Sequence, residues 1–565
     1  MAAINKVYSD SSYRSADTLM TLARMGSFHQ TRLSFMRTLL RRFVTENWSF
    51  KRALFDINMQ GIGAAVYSAI GPINTYSLVA FANDLPPEKR SDRVIATEWD
   101  ATFTLYDGVP SNAEIERLRK TIPLQEAGRV SERELSLSRA NRSIRLWDHV
   151  VSALAKGHQP DEDLVAAVGY LMRTTAVYGS GKFGVADREV LSGRPECRGP
   201  FQVEMMTVYL IRTFVMDLVE HLAKLHSPRT AVRLHPKSRR SFGIGNSTGL
   251  GMAPFLVNHP MLINNWIMAK EEALLRVRSV EKASQKEICV FLNLVPRVIQ
   301  SVKDWRSEHP IQLNKLGALK SDLVDLKDYL AKFDFHIQFP WQRLLDWSEK
   351  KLSLEGQEQL ISLILEPYSE LVDGLAECMD ADESKGFRID GQMTIETLIK
   401  ICSDIYGWAL DIDWSKADAN ARAWYVSEEK LEPRLGERFC ENIADYEQPL
   451  QPGRDAARMF ADLRSSNPHS TTASFLLKHP EHRHIVRRCQ LAAKYPYAEV
   501  RDNTIDAQMT PIDLLRAKLS FFGAGHFDPR SDRWIRINMF RGAPFPHELQ
   551  TDYRDDWPFP LLEEI

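Results

Sequence analysis

The chain has 565 residues, of which 44% are hydrophobic, 26% charged and 10% aromatic, and 72 Lys and Arg face 74 Asp and Glu for a formal charge of -2. This length exceeds one ordinary core and predicts a multi-domain globule, while the composition excludes a chain too polar to bury a core. Near-neutral charge excludes a global field for a polyanion, so no nucleic-acid partner is expected and any anion must be held locally.

The six cysteines are scattered without a C-x-x-C pair, which predicts neither a disulfide framework nor a cysteine zinc site. The N-terminus lacks the apolar stretch of a signal peptide, so the expected location is cytoplasmic. The most apolar segment, 205–223, carries Arg212, Asp217 and Glu220 and reads as a buried core helix, with no membrane partner.

In chain order, apolar residues at three-and-four spacing predict helices over 16–25 and 33–45. Short β-prone runs at 64–70 and 76–81 flank the turn-rich 71–74, and 93–106 adds a further strand. Helical periodicity returns at 112–121, 135–156 and 162–177, then at 205–223. A long helix or two over 260–305 follows, with more helices at 316–333, 341–350, 355–379 and 394–410. Beyond 446 the elements shorten, and the aromatic tail from 521 is expected to wrap over the body.

The expected fold class is therefore mainly α: a multi-domain helical bundle architecture with a small N-terminal α+β unit containing an antiparallel sheet. Its divisions are that unit at 1–110, a helical region with two glycine-rich loops at 111–260, a bundle at 261–445, and a mixed C-terminal region with a loop-rich tail at 446–565.

The most specialised stretch is 239–254, where Gly243, Gly245, Gly249 and Gly251 follow Arg239 and Arg240. Glycine lets backbone N–H groups face a ligand, so this run predicts an anion nest for phosphate or carboxylate. Arg239 and Arg240 would supply charge, and the backbone of Gly243, Gly245, Asn246, Thr248, Gly249 and Gly251 the donors. A second cluster at 178–184 adds Tyr178 as a donor and Lys182 as a point charge. It is not a Walker motif, because Ala176 and Phe183 occupy the positions of its first glycine and its Ser/Thr.

Gly245, Ser247 and Gly249 fit G-x-S-x-G, but the alternating parallel sheet of a nucleophile elbow is not expected here. The order Ser247, Thr248, Met252, Pro254, Asn258, Pro260 loosely resembles the mobile serine loop of the fumarase/aspartase superfamily. Leu256 and Val257 stand where that loop has its lysine, and the resemblance covers this one loop, so membership is not inferred. It implies Ser247 as a proton-abstracting base on a loop closing over a carboxylate. His526, in a C-terminal loop beside Asp528 and Arg530, is the other candidate catalytic residue.

Metal binding is not assigned. Residues 380–391 depart from an EF-hand at Lys385 and Gly391, and His479, His482 and His484 lack an obvious fourth ligand. The expected function is an enzyme of lyase or hydrolase type acting on a small anionic molecule, with no dinucleotide fingerprint, the cofactor undefined and self-association left open. The alternative is a non-enzymatic helical scaffold for protein partners, whose glycine runs serve close packing.

Overall fold

The computed structural model describes residues 13–89, 98–123, 129–175, 184–185, 191, 193–199, 201–248, 260–303, 305, 310–379, 387–415, 451–499, 512–523, 526–529, 535–551 and 553–559. Ten strands among them form one sheet: β1 Ser49–Ile57, β2 Gly63–Ile70, β3 Thr75–Ala82, β4 Ala101–Asp107, β5 Glu134–Arg142, β6 Tyr170–Thr175, β7 Gly184–Val185, β8 Gly243–Thr248, β9 His526–Pro529 and β10 Ile535–Met539. The spatial order is β1-β2-β3-β4-β5-β6-β8-β10-β9, with β7 paired to β5 off this path. All of these pairs are antiparallel except β6 with β8, which run parallel.

This sheet overturns the expected fold class. Helix accounts for 54% of the described residues, so the helical component stands, but the small antiparallel N-terminal unit does not exist as such. Its strands are the first members of a large mixed sheet that gathers segments as distant as Ser49 and Met539.

The missed strands have physical explanations. In β5, Leu135 and Leu137 alternate with Ser136 and Ser138, a strand period hidden beside the apolar helix Trp147–Ala155. The helix Glu162–Val168 begins at Asp161, whose side chain accepts from Leu164 N, and ends at Gly169 with φ 72°. That left-handed cap stops the helix, and β6 starts at the next residue.

One sheet face carries the long helix Gln202–His226, where Phe214 meets Phe103 and Tyr67 edge-on and the Thr207 and Ser136 hydroxyls lie 2.9 Å apart. The helix Asn112–Thr121, held by a Ser111/Glu114 capping box, packs Ile115 and Leu118 with Val66, Val79, Phe81 and Leu137 in a separate apolar cluster. The fully buried Arg212 ties the long helix to β8 and the tail. Its guanidinium donates to the carbonyls of Phe242 at 2.7 Å and Ala543 at 2.9 Å, over the Phe545 ring.

Helices Pro260–Arg278, Gln285–Lys303, Pro310–Leu330, Pro340–Lys351 and Leu354–Ile364 contribute to the same main core. Helices Ile395–Leu410, Gln451–Arg464, Thr472–Lys478 and Arg483–Lys494 enclose a second core around Leu398, Cys402, Phe475, Ile485 and Cys489. The tail docks on the body: Trp557 and Phe559 are buried, and Asp555 reaches Arg37. Among the described residues no helix is long and apolar enough to cross a membrane.

Candidate functional site

The parallel pair sets the geometry. In β6 and β8, Thr174 pairs with Asn246, so Thr175 and Thr248 end neighbouring strands that point the same way. The chain continues from these two ends into the two glycine-rich segments. Tyr178, Lys182, Gly249 and Gly251 lie outside the described residues. In open α/β sheets ligand crevices lie outside the carboxyl ends of parallel strands, and β6 and β8 are the one parallel pair among the described strands.

Two rows of register positions cross this part of the sheet. In the first, Asn141 pairs with Arg173, Arg173 with Gly245, Gly245 with Asn538, and Asn538 with His526. In the second, two residues nearer the carboxyl ends of β6 and β8, Arg139 pairs with Thr175, Ser247 with Arg536, and Arg536 with Asp528. Residues directly opposed in a ladder share a face, so Arg139, Arg173 and Arg536 stand at positions of the same face as Ser247, His526 and Asp528. Two strand spacings and two residues separate Ser247 from His526, roughly 12 Å between Cα atoms.

Three members of the first row are polar and buried: Asn141 is 3% exposed, Arg173 5% and Asn538 1%. Asn141 is fixed on both sides, its Oδ1 accepting from Asp100 N at 2.9 Å and its Nδ2 donating to Glu98 O at 3.2 Å. Asn538 Nδ2 donates to Val168 O at 3.2 Å, but its Oδ1 has no hydrogen-bond partner among the described residues. A buried acceptor left so costs on the order of 1–3 kcal/mol, the kind of deficit a ligand donor removes. The Arg139 guanidinium stacks 4.2 Å over the Trp99 ring, which fixes one cation at the edge of the region. Tyr170 lines the row with its ring against Gly245.

The expected backbone nest is corrected in its first half. Gly243, Gly245, Asn246, Ser247 and Thr248 form strand β8, Thr248 pairing with Ile535, and Gly243 N donates to Gly169 O at 2.8 Å. Their amides serve a ladder, not a ring of donors around an anion. Gly243 and Gly245 are instead required by packing, since a Cβ would lie 2.6 Å from Met539 O at Gly243 and 2.7 Å from the Tyr170 ring at Gly245. Ser247 lies inside the ladder and therefore occupies neither a hydrolase elbow nor a mobile loop. His526, read from sequence as a loop residue, lies in β9.

Arg239 and Arg240 are not brought to Ser247. They close the short helix Pro236–Arg240 before the amino end of β8, and β8 itself extends roughly 16 Å to its far end. Arg239 pairs with Asp217 at 3.0 Å and Glu220 at 3.4 Å, and Arg240 with Glu548 at 3.0 Å, so carboxylates of the chain already meet both charges. Arg239 also borders a cleft of about 490 Å³ with Arg52, Lys224 and Arg233 on its rim. Burial raises the Glu220 carboxyl above the usual range against the pull of Arg239.

Sequence reading missed Arg139, Asn141, Arg173, Arg536 and Asn538, because only strand register places them together. Comparison with protein-family models, curated proteins and solved structures finds no match to this chain.

Proposed function

We propose that the protein binds a small phosphate- or carboxylate-bearing molecule beside the carboxyl ends of β6 and β8, and that this site is catalytic. The observation that carries the reading is the register that aligns Arg173 and Arg536 with Ser247 and His526 on one sheet face. Arg173 and Arg536 supply the charge that holds the anion. Ser247 or His526 handles a proton in a lyase or hydrolase reaction, the roughly 12 Å between their Cα atoms leaving room for a small substrate that touches both. Tyr178, Lys182, Gly249 and Gly251 belong to the segments that continue from the same two strand ends and complete the site in this reading. Arg239 and Arg240 have a structural role in it.

A cytoplasmic setting is part of the proposal. It is supported by the free thiols of Cys197, Cys289, Cys402 and Cys489. The scaffold alternative draws on a different observation, the close packing at Gly243 and Gly245, which accounts for those two glycines without a ligand.

The two readings separate in a thermal-shift screen of the purified chain with inorganic phosphate, pyrophosphate, dicarboxylates and nucleotides. The enzyme reading expects a saturable stabilisation by one anion class, lost in Arg536→Gln and kept in Arg240→Gln, with turnover lost in Ser247→Ala or His526→Gln. Absence of any stabilising anion, or a response indifferent to Arg536→Gln, would favour the scaffold.

A further inference from the structure

The second helical unit carries a cluster of metal-ligating side chains that the candidate anion site does not use. Asp462 lies near the end of helix Gln451–Arg464, His479 caps helix Thr472–Lys478, and Glu481 and His482 form the single turn Pro480–His482 that leads into helix Arg483–Lys494. One ligand atom from each of these four residues falls within 4.8 Å of all the others. His482 Nε2 lies 2.8 Å and His479 Nδ1 3.9 Å from the same Asp462 oxygen, Oδ2. Glu481 Oε1 lies 3.5 Å from His479 Nδ1 and 4.0 Å from His482 Nε2.

These separations bracket the edge of a tetrahedron around a metal with bonds of 2.0–2.1 Å, about 3.4 Å. A set of two imidazole nitrogens and two carboxylate oxygens suits zinc or a similar divalent transition ion better than calcium or magnesium, which take oxygen alone. A hydrogen bond from His482 to Asp462 accounts for one imidazole only. His479 Nδ1 stands near two carboxylates at distances beyond hydrogen bonding, a placement that a shared cation explains.

The rings are also held in place. Phe475, His479 and His482 stack, with centroids 4.9 Å apart for Phe475 and His479 and 6.0 Å for the two histidines. His482 is buried, while Glu481 is exposed and gives an ion an entry route. His484, the third histidine of the sequence cluster, is turned to Asp455 at 2.8 Å and to the Glu481 carbonyl at 3.0 Å, outside the set.

We infer that Asp462, His479, Glu481 and His482 bind one divalent transition ion of the zinc class, which staples helix Gln451–Arg464 to the start of helix Arg483–Lys494. Four protein ligands make it a closed, structural site. Two carboxylates complete the histidine pair in place of His484: Glu481 beside it, and Asp462, seventeen positions upstream of His479 and recognisable only once the helices are packed.

The test is a titration of the chelator-treated full chain with Co²⁺, followed by displacement with Zn²⁺. The expected result is one equivalent of Co²⁺ giving the intense visible bands of tetrahedral coordination, bleached by Zn²⁺, with a Zn²⁺-dependent rise in the melting temperature. His479→Gln and Glu481→Gln alter side chains that are partly or largely exposed, and each should weaken binding at least roughly 100-fold, since even partners of ligands cost 10–100-fold. His484→Gln should bind as the parent chain does. If His479→Gln fails to fold, Glu481→Gln carries the comparison. Lack of saturable binding, or binding equal in the parent and Glu481→Gln, overturns the assignment.

Discussion

Tyr170 lays its ring against Gly245 so closely that a Cβ on residue 245 would stand 2.7 Å from it. The ring is buried and cannot swing away, so residue 245 has no freedom to grow. Gly245→Ala should destabilise the chain by about 1–3 kcal/mol, as overpacking does in a filled core. Denaturant unfolding measures it. Because the same ring lines the polar row, the anion response of this variant should also fall, and a full response at reduced stability would separate Tyr170 from the site.

Acid should unfold the protein through its buried ion pairs. Burial would raise the Asp555 carboxyl, but Arg37, Arg41 and Arg32 outweigh it and hold it below the usual range. Glu358 behaves likewise, with burial opposed by Arg14 and Lys270 and the net direction downward. A carboxyl whose folded pKa lies below its unfolded value, about 4, contributes stability that is complete above that value. The contribution is lost as pH falls toward the folded pKa. The share of stability from these two carboxylates should therefore hold from pH 7 to about 5 and drop below about 4. His29, whose imidazole pKa burial lowers to about 4, adds an earlier loss below about pH 6.5, where the unfolded ring takes up a proton and the buried one does not. A melting profile with no further drop below pH 4 would remove the two carboxylates from this account.

Arg37 is fully buried and binds Glu366 at 2.7 Å and Asp555 at 3.1 Å. Arg37→Met leaves both carboxylates without a main partner and should cost about 3–5 kcal/mol. It should also flatten the acid limb, because the Asp555 carboxyl rises toward its unfolded value. A parallel acid profile in parent and variant would remove Arg37 from that account.

Arg239 offers the converse case. Arg239→Gln removes the partner of Asp217 and Glu220, so the Glu220 carboxyl, already raised by burial, should rise further. Stability should fall by about 1–3 kcal/mol at neutral pH while anion binding stays unchanged. Loss of anion binding in a folded Arg239→Gln chain would move the site to the cleft at Arg52 and Arg233.

The parts of the fold that local sequence encodes were legible. Strands over 64–70 and 76–81 correspond to β2 and β3, and the helix over 112–121 and the apolar helix over 205–223 fall on Asn112–Thr121 and Gln202–His226. What sequence hid was long-range pairing. β6, β8, β9 and β10 are only four to six residues long, and their strand character comes from neighbours far away in the chain. Ser247 was picked on its G-x-S-x-G setting and its likeness to a serine loop, and His526 on its place beside Asp528 and Arg530; the ladders give the two positions a common face. Arg239 and Arg240 were picked on proximity in sequence, which a strand converts into distance. Arg173 carried no local signal, since a lone arginine between Met172 and Thr174 reads as a surface residue until register puts it opposite Gly245.

The most direct measurement is the position of a bound anion. A crystal of the chain soaked with selenate or a brominated carboxylate, read by anomalous scattering, should show a peak beside Arg173 and Arg536 at the carboxyl ends of β6 and β8. A peak confined to the cleft of Arg52, Arg233 and Arg239, with none beside Arg173 and Arg536, would contradict the proposed site.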